Sequence, residues 1–381
     1  MNFAWTEEQE QFRAEVVRFA TDELNDDLIE RDASGRFSHE AWKRCAAFGV
    51  QGFAIPAEHG GRGLDPLTMV LALEGLGYGC RDNGLLFALN AHMWSAAAPI
   101  LRFGTDEQRR RYLPGMCDGS MIGVQGMTEP GSGSDAFSLA TTAERDEGDY
   151  VLNGTKTFIT NAPVADVFVV FASTDPERGW AGLTAFVVDR EAPGLDVGAP
   201  LDKMGLRTVP MAELTFSDCR VPVGSLLGRV GGGMAVFTHS MDWERSFILA
   251  SAIGTMERQL ERCVGRARER QQFGQPIGKF QAVSHRIVDM KLRLEAGRAL
   301  LHRLAWLRHT GHSTSADAAL VKLFLSESWV QSSLDAMELH GGSGYLTEQE
   351  VERDVRDALA SRIYSGTSDI QRNVIARSLR L

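Results

Sequence analysis

The 381 residues, 44% of them hydrophobic and 24% charged, are enough for two or three domains or one large multilayer unit, and they exclude a disordered chain. With 40 Lys and Arg against 50 Asp and Glu, the formal net charge is -10, a field that repels nucleic acid and anionic membrane. The five cysteines (Cys45, Cys80, Cys117, Cys219, Cys263) are scattered without a C-x-x-C pair, which argues against a disulfide scaffold or a zinc site and for a reducing cytoplasm.

The N-terminus lacks a basic stretch leading into an apolar one, and no uninterrupted apolar run approaches the ~18 residues that a membrane span needs. Residues 1–119 read as a helical domain. Phe12, Val16, Phe19 and Ala20 recur at helical spacing, and Leu67 to Leu76 forms another apolar stripe. Ala57 to Gly61 punctuates the pattern, and Phe103-Gly104-Thr105-Asp106 predicts a helix stop and restart.

Over 120–230 the period changes to that of strands. Tyr150-Val151-Leu152 and Thr157 to Thr160 flank Asn153-Gly154, a strong hairpin signal because both residues tolerate positive φ. Val167 to Phe171, Leu183 to Val188 and Ala212 to Phe216 are further strands, spaced as in a barrel or sandwich. After Gly231-Gly232-Gly233 the helical period returns over 231–381. Phe237, Met241, Ile248 and Ala252 fall on one predicted helix face, and Ile287, Met290, Leu294, Leu301 and Leu304 on another, as in a bundle. Arginines between Arg258 and Arg270 make either a solvated helix face or a basic patch for a phosphate or an acidic partner.

There is no G-x-G-x-x-G after a strand, no Walker A loop and no H-E-x-x-H, so a nucleotide cofactor would need another cradle. Met127-Thr128-Glu129-Pro130-Gly131-Ser132-Gly133-Ser134-Asp135 offers one, since glycine and serine let backbone N–H groups approach a phosphate. On its own this is also an ordinary polar turn. Lys156 to Asn161 carries an aromatic and hydroxyls suited to a planar ring. Arg270-Gln271-Gln272-Phe273-Gly274, Phe280-Gln281, Glu338 to Tyr345 and Ile363 to Arg372 follow in order.

In that order these segments resemble the acyl-CoA dehydrogenase family over essentially the whole chain. The resemblance implies an α+β fold with an N-terminal helical domain, a middle β-barrel or sandwich domain and a C-terminal four-helix bundle. It also implies FAD between the last two and a homotetramer built as a dimer of dimers. It places Met127, Thr128, Gly133 and Ser134 near the flavin and pyrophosphate, with Phe158 and Thr160 against the isoalloxazine ring. Arg270, Phe273, Gln281, Gly341 and Gly342 would hold the adenine-dinucleotide part of a neighbouring subunit's FAD, and Thr367 would touch FAD from its own subunit. The family often has Gln where this chain has Glu338, and a carboxylate there would be repelled by pyrophosphate.

Dehydrogenating a thioester at Cα–Cβ needs a base for the α-proton and donors for the carbonyl oxygen. Most of the family carries the base in a Y-E-G-T sequence, which here reads Tyr364-Ser365-Gly366-Thr367. Isovaleryl-, long-chain- and carrier-protein-linked relatives instead carry a glutamate in an E-R pair on the first bundle helix, which here is Met241-Asp242-Trp243-Glu244-Arg245. Glu244 also lies on the apolar stripe, where partial desolvation makes a carboxylate a stronger base. A buried Glu paired with a cation is the ordinary alternative. With position 365 vacant, Glu244 is the expected base.

The resemblance leaves Ser365 its backbone amide as a donor to the thioester oxygen. It brings Asp242 and Arg245 toward the pantetheine or nucleotide arm, although these two also suit an i,i+3 helix pair. Trp243 and Trp94 would narrow the acyl pocket. The expected substrate is a short, branched or cyclic acyl thioester on CoA or an acyl carrier protein, with electron-transfer flavoprotein or O2 as acceptor. The motif setting is most similar to carrier-linked acyl and prolyl dehydrogenases. The rival readings are a catabolic acyl-CoA dehydrogenase, a flavin monooxygenase or N-hydroxylase on the same fold, and a non-catalytic flavin-binding protein.

Overall fold

The computed structural model describes residues 5–381. Helix α1 (Glu7–Glu23) opens on a capping box between Thr6 and Gln9. It is followed by α2 (Leu28–Ser34), α3 (His39–Phe48), α4 (Pro66–Gly79) and α5 (Asn83–Ala91). A π-helical turn, His92–Ala97, leads without a break from α5 into α6 (Ala98–Phe103). Gly104 stops α6, and Thr105 caps α7 (Asp106–Cys117) with a box to Gln108, as the punctuation predicts. The continuous helix Asn83–Phe103 is long and apolar enough to cross a membrane, although Asn90 and His92 interrupt its apolar run, and 89% of its most apolar 18-residue stretch is buried, which makes it the core helix of this domain.

The strands are β1 (Gly123–Gly126), β2 (Thr142–Asp146), β3 (Asp149–Thr160), β4 (Val167–Ser173), β5 (Leu183–Asp189), β6 (Leu195–Val197), β7 (Met211–Val221) and β8 (Leu226–Leu227). They form one mixed sheet in the order β6-β7-β3-β2-β4-β5-β8, with β1 parallel to β4. Every residue of β4 is buried, in keeping with its unbroken apolar sequence.

The expected turn at Asn153-Gly154 is not a turn. β3 runs straight through it, and its register with β7 shifts between Leu152 and Gly154. Asn153 is tied sideways to Asp218, donating from Nδ2 at 3.1 Å and accepting the Asp218 N–H at 2.8 Å. A Cβ on Gly154 (φ 150°) would lie 2.5 Å from Thr141 Oγ1. The pair therefore makes a bulge, and the glycine answers a close approach. The hairpin turn is Glu147-Gly148, with φ of 48° and 102°, between the paired residues Asp146 and Asp149.

Helices α8 (Gly233–Phe247), α9 (Ala250–Glu269), α10 (Gln281–His309) and α11 (Ser315–His340) form the bundle, to which α12 (Val351–Ala360) and α13 (Ser368–Ser378) are added. Phe237, Met241, Ile248 and Ala252 do not share one helix, because Leu249 (φ -102°, ψ 9°) divides α8 from α9. Three arginines of the cluster are tied to backbone carbonyls, while Arg268 and Arg270 are exposed. Arg258 donates to the carbonyls of Gly77, Tyr78 and Cys80 at 2.7, 2.9 and 3.0 Å, satisfying the open end of α4. Arg262 and Arg266 are likewise bonded to the carbonyls of Gln349 and His340.

Two glycines set the α4–α9 contact that joins the terminal domains. A Cβ on Gly77 would lie 1.8 Å from the Ser251 carbonyl oxygen, and one on Gly254 would lie 2.0 Å from that of Glu74. Backbone meets backbone there, so neither clash can be relieved by a rotamer change. Gly254→Ala should therefore destabilise the protein by about 1–3 kcal/mol or more. Gly265→Ala, where an added Cβ meets nothing within 4 Å on the same helix, should be neutral or stabilising by about 0.5–1 kcal/mol. Urea denaturation of the two variants checks the contrast, and equal midpoints would remove this account of the packing.

Candidate functional site

A cleft of about 750 Å³ opens where the three regions meet. Ser95 reaches it from the π-helical turn. Gln125, Met127, Thr128, Gly133, Ser134, Phe158 and Thr160 come from the sheet, and Met241, Glu244, Arg245, Tyr364, Ser365 and Thr367 from the C-terminal helices.

The loop after β1 is shaped by a buried ion pair. Lys156 is fully buried and places Nζ 2.7 Å from Glu129 Oε1. The same carboxylate accepts the N–H groups of Ala140 at 2.6 Å and Thr141 at 3.0 Å. Burial draws Lys156 down to about 8 against the opposing pull of Glu129. Desolvation resists ionisation of Glu129, but the Lys156 charge and the hydrogen bonds outweigh it and hold its carboxyl below the usual range. Glu129 and Ser132 close a small bridge, and around Gly131 and Gly133 a Cβ would meet nothing within 4 Å. The loop thus presents a rigid base and an open, amide-rich rim.

Phe158 sits at a second register shift of β3, between Lys156 and Ile159, with φ 57°. That irregularity turns its ring into the cleft, 62% exposed.

Glu244 is 8% exposed, and both of its carboxylate oxygens are occupied. Ser95 Oγ donates to Oε2 at 2.6 Å, and Ser365 Oγ donates to Oε1. Ser365 thus meets Glu244 through its hydroxyl, a contact that the sequence does not predict. Ser95 was not visible in the sequence: its only signal is a place next to Trp94, and nothing predicts the π turn that aims it.

The turn before α13 has Ser365 at φ 57° and Gly366 at φ 86°. The Ser365 carbonyl accepts Arg245 Nε and Gln371 Nε2, both at 3.1 Å. That of Gly366 accepts Lys322 Nζ and Gln371 Nε2, both at 2.8 Å. Burial, reinforced by Arg245, draws Lys322 down to about 7. With these carbonyls drawn back, the Ser365 N–H has no protein acceptor among the described residues. Thr367 lines the cleft and caps α13 through its hydroxyl.

Three expected substrate contacts fall outside the cleft lining. Trp94 is fully buried and donates to Asn90 Oδ1 at 2.7 Å. It stacks on Trp243 at 5.8 Å, and the Arg308 guanidinium covers Trp243 from 5.0 Å. Asp242 accepts the Ser315 hydroxyl at 2.8 Å and makes no ion pair with Arg245. Ring stacking and hydrogen bonds within the fold occupy these three side chains.

The remaining predicted residues lie elsewhere. Arg270, Gly341 and Gly342 line a separate recess of about 510 Å³ with Arg266 and Glu338. The Glu338 carboxylate lines the same recess and pairs with Arg286 Nη1 at 2.5 Å. Phe273 is 92% exposed at the nearby hairpin, and Gln281 begins α10. These groups and the Glu244 cleft are not united within one chain.

Family models of the acyl-CoA dehydrogenase N-terminal, middle and C-terminal domains match residues 6–120, 125–219 and 231–380. An L-prolyl-[peptidyl-carrier protein] dehydrogenase of Pseudomonas fluorescens is 43% identical, covering 100% of both chains. The solved structure of the prolyl acyl carrier protein oxidase AnaB superposes with a TM-score of 0.98 at 50% identity, over 99% of this chain and 100% of that one. PigA with FAD and proline superposes with a TM-score of 0.98 at 41% identity, covering 100% of both chains.

The ion pair under the loop is open to direct test. Lys156→Met leaves the Glu129 carboxylate buried and unpaired, which should cost about 3–5 kcal/mol. The double variant Lys156→Met/Glu129→Gln should recover part of that loss. Urea titration reads both, and a single variant no less stable than the double would contradict the assignment.

Proposed function

Because the chain belongs to the acyl-CoA dehydrogenase family, we propose that it is an FAD-dependent enzyme that dehydrogenates an acyl thioester at Cα–Cβ, with Glu244 as the base. The observation that carries this reading is a buried carboxylate facing a cleft beside a backbone amide, the first without an ion pair and the second without an acceptor among the described residues.

The residues present fit the cofactor. The open space at Gly131 and Gly133 suits the close approach of a phosphate, and the Phe158 ring with the Thr160 hydroxyl suits a flavin. Met127, Thr128, Gly133, Ser134, Phe158, Thr160 and Thr367 would hold the near half of FAD. Arg270, Phe273, Gln281, Gly341 and Gly342 lie apart from that half, so we assign them to the adenine end of a neighbour's FAD in a homotetramer. When bound, FAD supplies the acceptor for the hydride leaving Cβ.

The chain's own residues do the rest. Glu244 takes the α-proton onto its carboxylate, and the Ser365 N–H donates to the thioester oxygen as negative charge builds there. Burial of Glu244 keeps water from competing for the base. A monooxygenase would have no task for this carboxylate. The carrier-protein substrates named for the relatives support a short or cyclic acyl group on a phosphopantetheine arm. Their names span dehydrogenase and oxidase, so electron-transfer flavoprotein and O2 are both acceptors to test.

Glu244→Gln should keep its FAD and its fold but reduce flavin about 10²–10⁴-fold more slowly on anaerobic mixing with substrate. Retention of the full rate would sink the base assignment. For one acyl group presented on both carriers, kcat/KM should favour the carrier protein over CoA. Equal or better values with CoA would return the protein to the catabolic class.

A further inference from the structure

We propose that Ser95 and Ser365 are positioning residues that together clamp the Glu244 carboxylate, one hydroxyl from the N-terminal domain and one from the turn before α13. This deepens the proposed function and rests on Glu244 being its base.

The contacts themselves define the clamp. Ser95 Oγ donates to Oε2 at 2.6 Å and Ser365 Oγ to Oε1, across 149 and 121 residues of sequence. A glutamate has three rotatable bonds, and donors on both oxygens reduce its carboxylate to a single orientation. The neighbouring guanidinium does not take this role. Arg245 is the next residue on the same helix, yet its Nε donates to the Ser365 carbonyl. No ion pair within 4.0 Å engages Glu244 among the described residues.

Hydroxyls suit a base in a way that a guanidinium does not. A guanidinium is donor-only, so it favours the ionised carboxylate and opposes proton uptake. A hydroxyl donates to the anion and can rotate to accept from the acid once the proton has arrived. The clamp therefore holds Glu244 in both protonation states without a fixed charge on either oxygen.

Ser365 combines this with its second task. Its φ of 57° is unusual for a residue with a side chain, and such a conformation persists only where the surroundings fix it. Arg245 and Gln371 fix it through the carbonyl, which leaves the amide toward the cleft and the hydroxyl toward the base. The charged and titratable groups facing Glu244 are Arg245 on its own helix, Lys322 on α11 and Tyr364 in the turn. None of them contacts Ser95, so a difference in the Ser95 variant reports the hydroxyl.

Ser95→Ala and Ser365→Gly are the informative variants. Glycine accepts the positive φ and keeps the amide, so the second change removes the hydroxyl alone. Each variant should retain FAD and the wild-type Tm while kcat falls about 10-fold and KM stays within about twofold. Ser95→Thr, which keeps a hydroxyl on the helix, should restore kcat, and Ser365→Ala should repeat the effect of the glycine. Wild-type kcat in Ser95→Ala and Ser365→Gly, beside an inactive Glu244→Gln, would overturn the clamp and leave the base standing. A fully active Glu244→Gln would remove the base and the clamp together.

Discussion

A single buried carboxylate is the constraint around which this molecule is arranged. Glu244 is nearly out of solvent and makes no ion pair within 4.0 Å among the described residues, so neutral donors occupy both of its oxygens. Those donors lie on Ser95 and Ser365, in parts of the chain that the fold must first bring together. The site therefore depends on how well the two terminal domains are registered against each other. The Gly77 and Gly254 contact between α4 and α9 supplies that registration, because backbone packed on backbone leaves little room to slide.

The sheet supplies the other wall on a different physical basis. A buried Lys156–Glu129 pair is expensive to desolvate and persists because three further hydrogen bonds complete it. It stiffens a glycine- and serine-rich loop that would otherwise be a mobile turn. Backbone strain sits close by at Phe158 and Ser365, both at positive φ and both lining the cleft. A strained residue that lines a cleft persists because its surroundings hold it there.

Much of this was legible in the sequence because period and punctuation are local. The change from helix to strand after Cys117, the return after Gly233 and the stop at Gly104 all follow from spacing and cap chemistry. The Asn153-Gly154 reading failed because the same dipeptide serves a turn and a bulge, and only the Asp218 partner and the nearness of Thr141 decide between them. Glu244 could be found from its stripe and from the serine at position 365. Ser95 could not, since a π turn leaves no trace in composition. Trp94, Trp243 and Asp242 were misplaced for the opposite reason: they adjoin site residues in sequence but point into the packing.

The central claim is that Glu244 removes the α-proton, and it can be separated from the redox step. An acyl thioester whose β-carbon bears no hydrogen can lose and regain its α-proton but cannot be oxidised across Cα–Cβ. Incubated in D2O with the protein and followed by proton NMR, it should acquire α-deuterium with the wild type and not with Glu244→Gln. Equal exchange by the two proteins would contradict the account.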